Sequence, residues 1–377
     1  MDGVTRTDRQ SEAAGAGGAS GYLTIDLAAL ARNYERLCAE VAPARAAAVV
    51  KADAYGLGAA RVAERLYAHG CRDFFVAQFV EALALRPLLA ADATVFVLNG
   101  LQPGNEFPAA RDGIVPVINS LEQWRQWADA ARMLARRLPA VLQFDTGMSR
   151  LGVPPEERAA LAELVKSEGG IDILFVMSHL ASADDADSDQ NAGQLAEMER
   201  VTADFPQFLV CFANSGGVFL GKTYHGVLAR PGIALYGGAP TAGRANPMEP
   251  VVRLDIAVVQ TRTVPAGTRI GYSGTHVTTG STRLATIAAG YADGMLRSLS
   301  DRGAVFCDGV RLPIVGRVSM DSITIDVSAL PEGRLKLGSL VEVLGSHQTL
   351  EDVARDAGTI AYEILTSLGH RYERQYR

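Results

Sequence analysis

Residues 49–58 have the sequence Val49-Val50-Lys51-Ala52-Asp53-Ala54-Tyr55-Gly56-Leu57-Gly58, and the rest of the chain is organised around them. The apolar run from Ala46 to Val50 predicts a buried strand, and a helical pattern follows from Ala59 to His69 after a glycine-interrupted loop. Lys51 therefore lies at the end of a strand, beside the core. Desolvation there lowers the pKa of an amine, and a neutral amine can form an imine with an aldehyde or ketone.

The composition is typical of a globular protein that acts on small molecules. The chain has 377 residues, enough for two domains, and 48% hydrophobic residues allow a large core. The net charge is −6 and no run is dense in lysine or arginine, which disfavours nucleic acid or an anionic membrane as the main partner. The four cysteines have no paired spacing and predict neither a zinc site nor a disulfide framework; they are Cys38, Cys71, Cys211 and Cys307.

The beginning of the chain predicts a disordered leader over residues 1–20. It contains acidic residues and then small residues from Ala13 to Ser20, without the apolar block of a secretory signal. No stretch of the sequence approaches the roughly twenty uninterrupted apolar residues that a membrane-spanning helix requires. These features predict a cytoplasmic protein.

The following pattern predicts an α/β fold. A short strand at Leu23 to Leu27 and a helix lead into eight further strand candidates separated by helical or loop segments. Strands that are apolar on both faces and alternate with helices imply parallel pairing, and eight such units fit a closed (β/α)8 TIM-like barrel over residues 21–248. The candidates are Ala46 to Val50, Asp73 to Ala77, Thr94 to Leu98, Ile114 to Ile118, Ala140 to Phe144, Ile173 to Met177, Leu209 to Ala213, and Gly226 to Ala229.

Near Pro250 the pattern changes to short strands between Gly, Pro and Asp turns. It predicts a separate, mainly β domain over residues 249–377, preceded by a linker from Thr241 to Pro250. A closing helix is predicted at Leu350 to Asp356, before a tail that begins at Gly358. The predicted strands are Val251 to Thr261, Arg283 to Ala289, Ala304 to Cys307, Leu312 to Val318, Ile323 to Val327 and Leu340 to Leu344.

Residues able to do chemistry follow the predicted barrel strands, where the loops of such barrels build active sites. Two glycine-containing loops come after the seventh and eighth strands, the usual phosphate site in these barrels. A lysine amine and a phosphate cradle together are what pyridoxal phosphate requires. The residues after the strands are Lys51, Asn99, Asn119, Asp145, Arg150, His179, Asn214-Ser215-Gly216-Gly217 and Arg230-Pro231-Gly232-Ile233.

A series of ordered motifs from Tyr22 to the C-terminus resembles the alanine racemases, a barrel-fold class of pyridoxal-phosphate enzymes. The number and order of the motifs make the resemblance far more specific than any one of them. They are VKADAYGLG at Val50, DTGMSRLG at Asp145, SHLASAD at Ser178, ANSGG at Ala213, RPGIALYG at Arg230, GYADG at Gly290, VGRVSMD at Val315 and GTIAYE at Gly358.

The resemblance implies pyridoxal 5'-phosphate as the cofactor and racemisation of alanine by two bases. Lys51 would hold the cofactor as an imine and act on one face of Cα, and Tyr291 would act on the other, since one rigid side chain serves both faces poorly. His179 and Arg230 would form a polar chain that tunes the tyrosine. Arg230 would also donate to the pyridine nitrogen, and because arginine keeps its proton, the ring would be a weaker electron sink than one paired with a carboxylate.

The resemblance also assigns binding roles and an assembly. Arg150 and Met320 would meet the substrate. In the family, Tyr291 and Met320 reach the active site of the opposite subunit in a head-to-tail homodimer, so a monomer is expected to be inactive. No metal is implied. The further cofactor-binding residues would be Tyr55, Asn214, Ser215, Gly232, Ile233 and Tyr362.

The chain departs from the family pattern at a few positions. Many members have a carbamylated lysine at the position of Gln143, whose negative charge orients the arginine that matches Arg150. Glutamine supplies no charge, so we expect either a bound anion such as chloride near Arg150 or a more mobile arginine. Three further positions that flank the pocket bear on substrate preference; they are Asp53, Leu57 and Ala361.

Alternative functions remain open at this point. The first is a racemase of serine or of broader range, because the sequence does not localise the side chains that set substrate size. A decarboxylase of the same fold would use an acidic residue at the pyridine nitrogen and a cysteine in the second domain, which Arg230 and Ser319 disfavour. A cofactor-binding protein without turnover is disfavoured by the complete β domain with Tyr291 and Met320. The product could supply D-alanine for peptidoglycan, or the reaction could open D-alanine to catabolism.

Overall fold

The computed structural model describes residues 18–167 and 169–377. Most of the predicted leader therefore lies outside the described residues. The chain divides into two compact units, residues 27–249 and residues 18–26 together with 250–377. No helix in the described part of the chain is long and apolar enough to cross a bilayer.

Residues 18–26 contain the first strand, β1 (Gly21–Ile25), and the unit of residues 27–249 carries the next nine. Those from the third to the ninth form one parallel sheet in chain order, and the second pairs in parallel with the tenth. The nine are β2 (Arg45–Ala46), β3 (Ala48–Val49), β4 (Asp73–Val76), β5 (Thr94–Val97), β6 (Ile114–Ile118), β7 (Leu138–Gln143), β8 (Ile171–Met177), β9 (Val210–Cys211) and β10 (Leu228–Ala229).

Hydrogen bonds around β10 join the two edges of this sheet. The N–H of Arg230 donates to the carbonyl of Ala213, just after β9, at 2.8 Å, and the N–H of Val49 in β3 donates to the carbonyl of Pro231 at 3.1 Å. The strand predicted from Ala46 to Val50 is thus divided between two neighbours, with β2 on β10 and β3 on β4. The predicted TIM-like barrel followed by a mainly β region is confirmed.

Helices alternate with these strands. The first is amphipathic and buries Leu30, Tyr34 and Leu37, as its sequence periodicity predicts. Inside the barrel the rings of Phe75 and Phe96 stack with centroids 4.5 Å apart. The helical segments are α1 (Leu27–Val41), α2 (Lys51–Gly56), α3 (Ala59–Ala68), α4 (Phe79–Leu85), α5 (Glu106–Asp112), α6 (Leu121–Met133), α7 (Pro155–Ser167), α8 (Asp189–Asp204) and α9 (Ser215–Leu220).

The other unit is mainly β, and it includes β1. Its remaining elements are β11 (Val252–Val264), β12 (Arg269–Ile270), β13 (His276–Val277), β14 (Thr282–Ile287), β15 (Ala304–Cys307), β16 (Val310–Pro313), β17 (Ile323–Asp326), β18 (Leu340–Leu344), α10 (Leu350–Ala357), α11 (Ala361–Ser367) and β19 (Glu373–Tyr376). The main sheet has the order β16-β15-β18-β11-β1-β19, with β14 on β11 and β17 on β14.

Two segments differ from the sequence-based prediction. The strand expected at Leu23 to Leu27 is observed as β1 and lies between β11 and β19, where Leu23 faces Leu254. The predicted tail contains α11 and β19. In both cases pairing with a strand far away in the chain decides the structure, and local periodicity carries no information about such a partner.

Candidate active site

Lys51 begins a turn of unusual backbone conformation directly after β3. Residues 52–55 all have φ between 53° and 57°, the left-handed region that L-residues seldom occupy in succession. The carboxylate of Glu81 stabilises the turn, because one oxygen accepts the N–H of Ala52 at 2.5 Å and the other accepts the N–H of Gln78 at 2.8 Å. Sequence analysis does not single out Glu81. The available signal is the capping pattern of Gln78 and Glu81 at the start of α4.

The other end of the turn is fixed by Asp53. Its Oδ1 accepts the N–H of Ala59, at the start of α3, at 2.7 Å. Leu57 is fully buried. Two of the departures from the family pattern therefore have structural roles: Asp53 accepts a bond that asparagine could also accept, and Leu57 packs in the core.

Lys51 has cations near it on the barrel side. The pKa of its amine is lowered chiefly by burial and next by the Arg150 guanidinium, while the carboxylate of Glu81 opposes the shift and Arg230 adds to it. The structure therefore brings Lys51, Arg150 and Arg230 into one electrostatic neighbourhood. The result is an amine that is neutral, and so nucleophilic, over a wider range of pH than an exposed lysine.

His179 belongs to the same group of residues. Its pKa is lowered to about 3, first by burial and then by the positive charges of Arg230, Arg150 and Lys51. The imidazole is therefore neutral near pH 7. No hydrogen bond joins His179 to Arg230 among residues 18–167 and 169–377, so their interaction in this structure is electrostatic.

Arg230 is buried and held by three hydrogen bonds to the ends of β8 and β9. Its Nη2 donates to the carbonyl of Ser178 at 2.6 Å, and its Nη1 donates to the carbonyl and to the Sγ of Cys211, both at 2.9 Å. Its Nε has no acceptor in the part of the chain that the structure describes. The guanidinium is thus rigid and keeps a donor for a further group.

The loops after β9 and β10 meet at Ser215. Its hydroxyl oxygen accepts the N–H groups of Gly232 at 2.8 Å and Ala234 at 3.3 Å, which leaves its own proton available to donate. A Cβ added at Gly232 would lie 2.2 Å from the Oη of Tyr55, so only glycine allows this approach. Tyr55, Ser215 and Gly232 therefore lie close together, and their binding of a phosphate stays a prediction.

Two neighbouring residues, Asn214 and Ile233, make contacts that stabilise the fold. The Oδ1 of Asn214 accepts the N–H of Gly217 at 2.9 Å and its Nδ2 donates to the carbonyl of Leu180 at 3.1 Å, so Asn214 caps α9. Ile233 is buried and begins a short 3₁₀ turn. The direct contact of Asn214 with a cofactor stays a prediction.

Arg150 lies on a tight loop after β7. The Oδ1 of Asp145 accepts the N–H groups of residues 147, 148 and 149 at 2.9, 3.0 and 3.1 Å. The loop returns to the strand end, where the N–H of Val153 donates to the carbonyl of Gln143 at 2.8 Å. Gln143 itself is buried, and Arg150 is exposed. The conformation of this loop therefore determines the position of Arg150.

The three remaining predicted site residues lie in the mainly β unit. Tyr291 is 45% exposed, Met320 is 52% exposed, and Tyr362, on α11, is 41% exposed. The N–H of Tyr291 donates to the carbonyl of Ser319 at 3.0 Å, and the next N–H donates to the carbonyl of Met320 at 3.0 Å. The backbone thus brings the Tyr291 and Met320 loops together within this unit.

Comparison with known protein families agrees with this arrangement. The family model described as the alanine racemase N-terminal domain matches residues 25–240, and that of the alanine racemase C-terminal domain matches residues 251–376. The chain belongs to the alanine racemase family.

Individual members of the family are similar over almost the whole chain. A Rhizobium johnstonii protein named catabolic alanine racemase is 70% identical over 100% of both chains. An Agrobacterium fabrum protein of the same name is 62% identical over 96% of this chain and 93% of its own. The crystal structure of Bartonella henselae alanine racemase, with covalently bound pyridoxal phosphate, has a TM-score of 0.92 at 44% identity and covers 95% of this chain and 100% of its own.

The charges around Lys51 predict that two substitutions shift the pKa of its amine in opposite directions. Arg150→Met removes a nearby cation and should raise the pKa of the Lys51 amine, whereas Glu81→Gln removes an anion and should lower it further. The measurement is acetic anhydride labelling of the Lys51 peptide against pH, read by mass spectrometry, after dialysis against hydroxylamine to free the amine.

The same peptide labelled in urea is the control, and its half-maximal reactivity should come at higher pH than in the folded protein. Identical profiles in the folded and unfolded protein, or a downward shift in Arg150→Met, would contradict this electrostatic description.

Proposed function

We propose that this chain interconverts L-alanine and D-alanine with pyridoxal 5'-phosphate as its cofactor. The observation that carries the proposal is the convergence of Lys51, Arg230 and Ser215 at the ends of the barrel strands. The pKa of Lys51 is lowered, Arg230 is rigid, and Ser215 joins the two glycine loops. These are an amine for an aldehyde, a donor for a ring nitrogen and an anchor for a phosphate, so the residues present fit this cofactor.

Each of these residues has a proposed role in holding the cofactor. Lys51 would hold the aldehyde carbon of the cofactor through Nζ, and the Nε of Arg230 would donate to its pyridine nitrogen. Ser215 would donate its hydroxyl proton to the phosphate, beside the backbone of Gly232 and the Oη of Tyr55, and the resemblance to the family adds Ile233 and Tyr362 as further phosphate-binding residues. When bound, the cofactor supplies an electron-withdrawing ring that makes the α-hydrogen of an attached amino acid acidic.

Racemisation requires proton transfer on both faces of Cα, and two residues are assigned to it. The Nζ of Lys51 removes or returns the proton on one face of Cα, and the Oη of Tyr291 does so on the other. Neutral His179 avoids placing a further positive charge beside Lys51. Arg150 binds the substrate carboxylate, which fixes Cα between the two bases.

We assign Tyr291 and Met320 to the active site of a second copy of the chain. Both are about half exposed in the mainly β unit, which also exposes Ile360. Large exposed apolar and aromatic side chains of this kind are typical of interfaces. The assembly is therefore proposed as a homodimer in which each copy completes the site of the other.

Alanine is the proposed substrate, and serine is the runner-up. Every relative compared above is named alanine racemase, which favours alanine. The relatives at 70% and 62% identity are both named catabolic, so we favour a role in opening D-alanine to catabolism over its supply for peptidoglycan.

The purified protein should convert L-alanine to D-alanine faster than it inverts L-serine. Lys51→Ala should abolish turnover, because the anchor and one base are lost together, and Tyr291→Phe should reduce it by about 100-fold or more, because one face loses its base. Chiral chromatography of the products measures both. Preferential inversion of serine would show that serine, not alanine, is the substrate. Cofactor-bound protein without any inversion would refute the racemase proposal.

Mixing two inactive variants tests the shared site. Lys51→Ala and Tyr291→Phe protomers, exchanged at equal amounts, should recover about a quarter of wild-type activity, since half of the dimers are mixed and each has one intact site. Each variant exchanged with itself is the control. Exchange without recovered activity would place Lys51 and Tyr291 in the same copy.

The neutral amide at Gln143 predicts dependence on chloride. A bound chloride would supply the negative charge that Gln143 lacks and would orient the Arg150 guanidinium, so replacing chloride with gluconate at constant ionic strength should raise KM for L-alanine. Gln143→Glu supplies a fixed carboxylate and should remove this dependence. A wild-type KM that does not respond to chloride would favour the more mobile arginine instead.

A further inference from the structure

Arg371 donates charge-assisted hydrogen bonds to two carboxylates in the mainly β unit. Its Nε donates to the Oδ1 of Asp293 at 2.5 Å and its Nη2 donates to the Oδ2 of the same carboxylate at 2.7 Å. Its Nη1 donates to the Oδ1 of Asp321 at 2.7 Å. One planar guanidinium thus joins two carboxylates that are far apart in the chain, and such bidentate pairing fixes direction as well as distance.

The two carboxylates belong to the loops that carry Tyr291 and Met320. Asp293 is two residues after Tyr291 and is almost fully buried, and its Oδ2 also accepts the N–H of Gly290 at 3.0 Å. Asp321 directly follows Met320. Arg371 therefore contacts both loops from one side, while their backbones bond to each other at Tyr291 and Ser319.

Further contacts restrict the two loops in addition to these ion pairs. A Cβ added at Gly290 would lie 2.2 Å from the carbonyl oxygen of Ser319, so the chain just before Tyr291 touches the other loop. The carbonyl of Asp293 accepts the N–H of Gly369 at 3.0 Å, which anchors the far side of the turn near Arg371. Asp293 is the centre of this arrangement, and Arg371 is its charge partner.

We propose that Arg371 is a positioning residue for the second base: through Asp293 and Asp321 it sets the direction of Tyr291 and fixes the Met320 loop beside it. The inference rests on the proposed function, because it takes Tyr291 to be that base. Arg371 does not touch the reacting atoms. Its effect is on where the tyrosine oxygen lies, and a displacement of about 1 Å can cost about 100-fold in rate.

A misplaced second base changes the ratio of deuterium incorporation to inversion, which a general loss of structure does not. When Lys51 has taken the α-hydrogen of the antipode that faces it, Tyr291 normally delivers a proton to the opposite face. If Tyr291 is displaced, Lys51 returns a proton to the same face instead. In deuterium oxide the amine exchanges its protons with solvent, so the recovered substrate carries deuterium without inversion.

The test compares Arg371→Gln and Asp321→Asn with the wild type, all as holoenzymes. Arg371→Gln should lower kcat by about 10- to 100-fold and leave KM within about twofold, because the carboxylate-binding Arg150 is untouched. It should also raise the ratio of deuterium incorporation to inversion for one antipode. Asp321 is 60% exposed, so Asp321→Asn keeps the buried pair and should give the same changes to a smaller extent.

A second measurement does not depend on activity. Amide hydrogen exchange of the segments around Tyr291 and Met320 should accelerate in both variants, whether or not the cofactor is bound. Arg334→Gln is the matched control, because Arg334 makes a bidentate pair with Asp308 in the same unit but joins neither loop. It should leave the deuterium ratio and the exchange of these segments unchanged.

The outcomes separate this inference from the proposed function. Tyr291→Phe should show the largest deuterium-to-inversion ratio, and if it does not, or if the wild type does not invert alanine, the proposed function fails first. If both behave as expected but Arg371→Gln and Asp321→Asn leave the ratio at the wild-type value, Arg371 does not position the base. An equal fall of incorporation and inversion in Arg371→Gln, with no effect of Asp321→Asn, would show a purely structural role.

Discussion

The left-handed turn after β3 is the constraint on which the barrel site depends. Four residues with φ near +55° are costly for L-amino acids, and they persist because side-chain hydrogen bonds fix both ends of the turn. Glu81 holds the first N–H of the turn and Asp53 ties its end to α3. The turn contains both Lys51 and Tyr55, so one short segment carries the amine and the Oη that approaches Gly232.

The electrostatics of the barrel site follow from this placement. Burial lowers the pKa of both Lys51 and His179, and the positive charges of Arg150 and Arg230 lower it further. The arginines stay charged, so the lysine and the histidine are the groups whose pKa falls. Such a site favours a neutral amine and an anionic ligand, which matches the chemistry of a phosphate-bearing aldehyde.

In the mainly β unit, Tyr291 and Met320 are positioned in a different way. Tyr291 and Met320 are exposed, and neither is held by the core. Their direction comes from the backbones of two loops that bond to each other and from the carboxylates that Arg371 joins. The guanidinium of Arg371 thus links the two loops through the buried carboxylate of Asp293 and the exposed carboxylate of Asp321.

The sequence alone determined the alternation of strands and helices, the change of pattern near Pro250 and the polar residues after seven of the eight barrel strands. These features are local, because periodicity records which face of an element is buried and motifs record residues in fixed order. Tertiary structure decided the partner of β1, the division of the strand near Lys51, the role of Glu81, the pKa of His179 and the contacts of Arg371 with Asp293 and Asp321. Each of these depends on groups far apart in the chain, and which charges and strand edges meet is set only when the chain has folded.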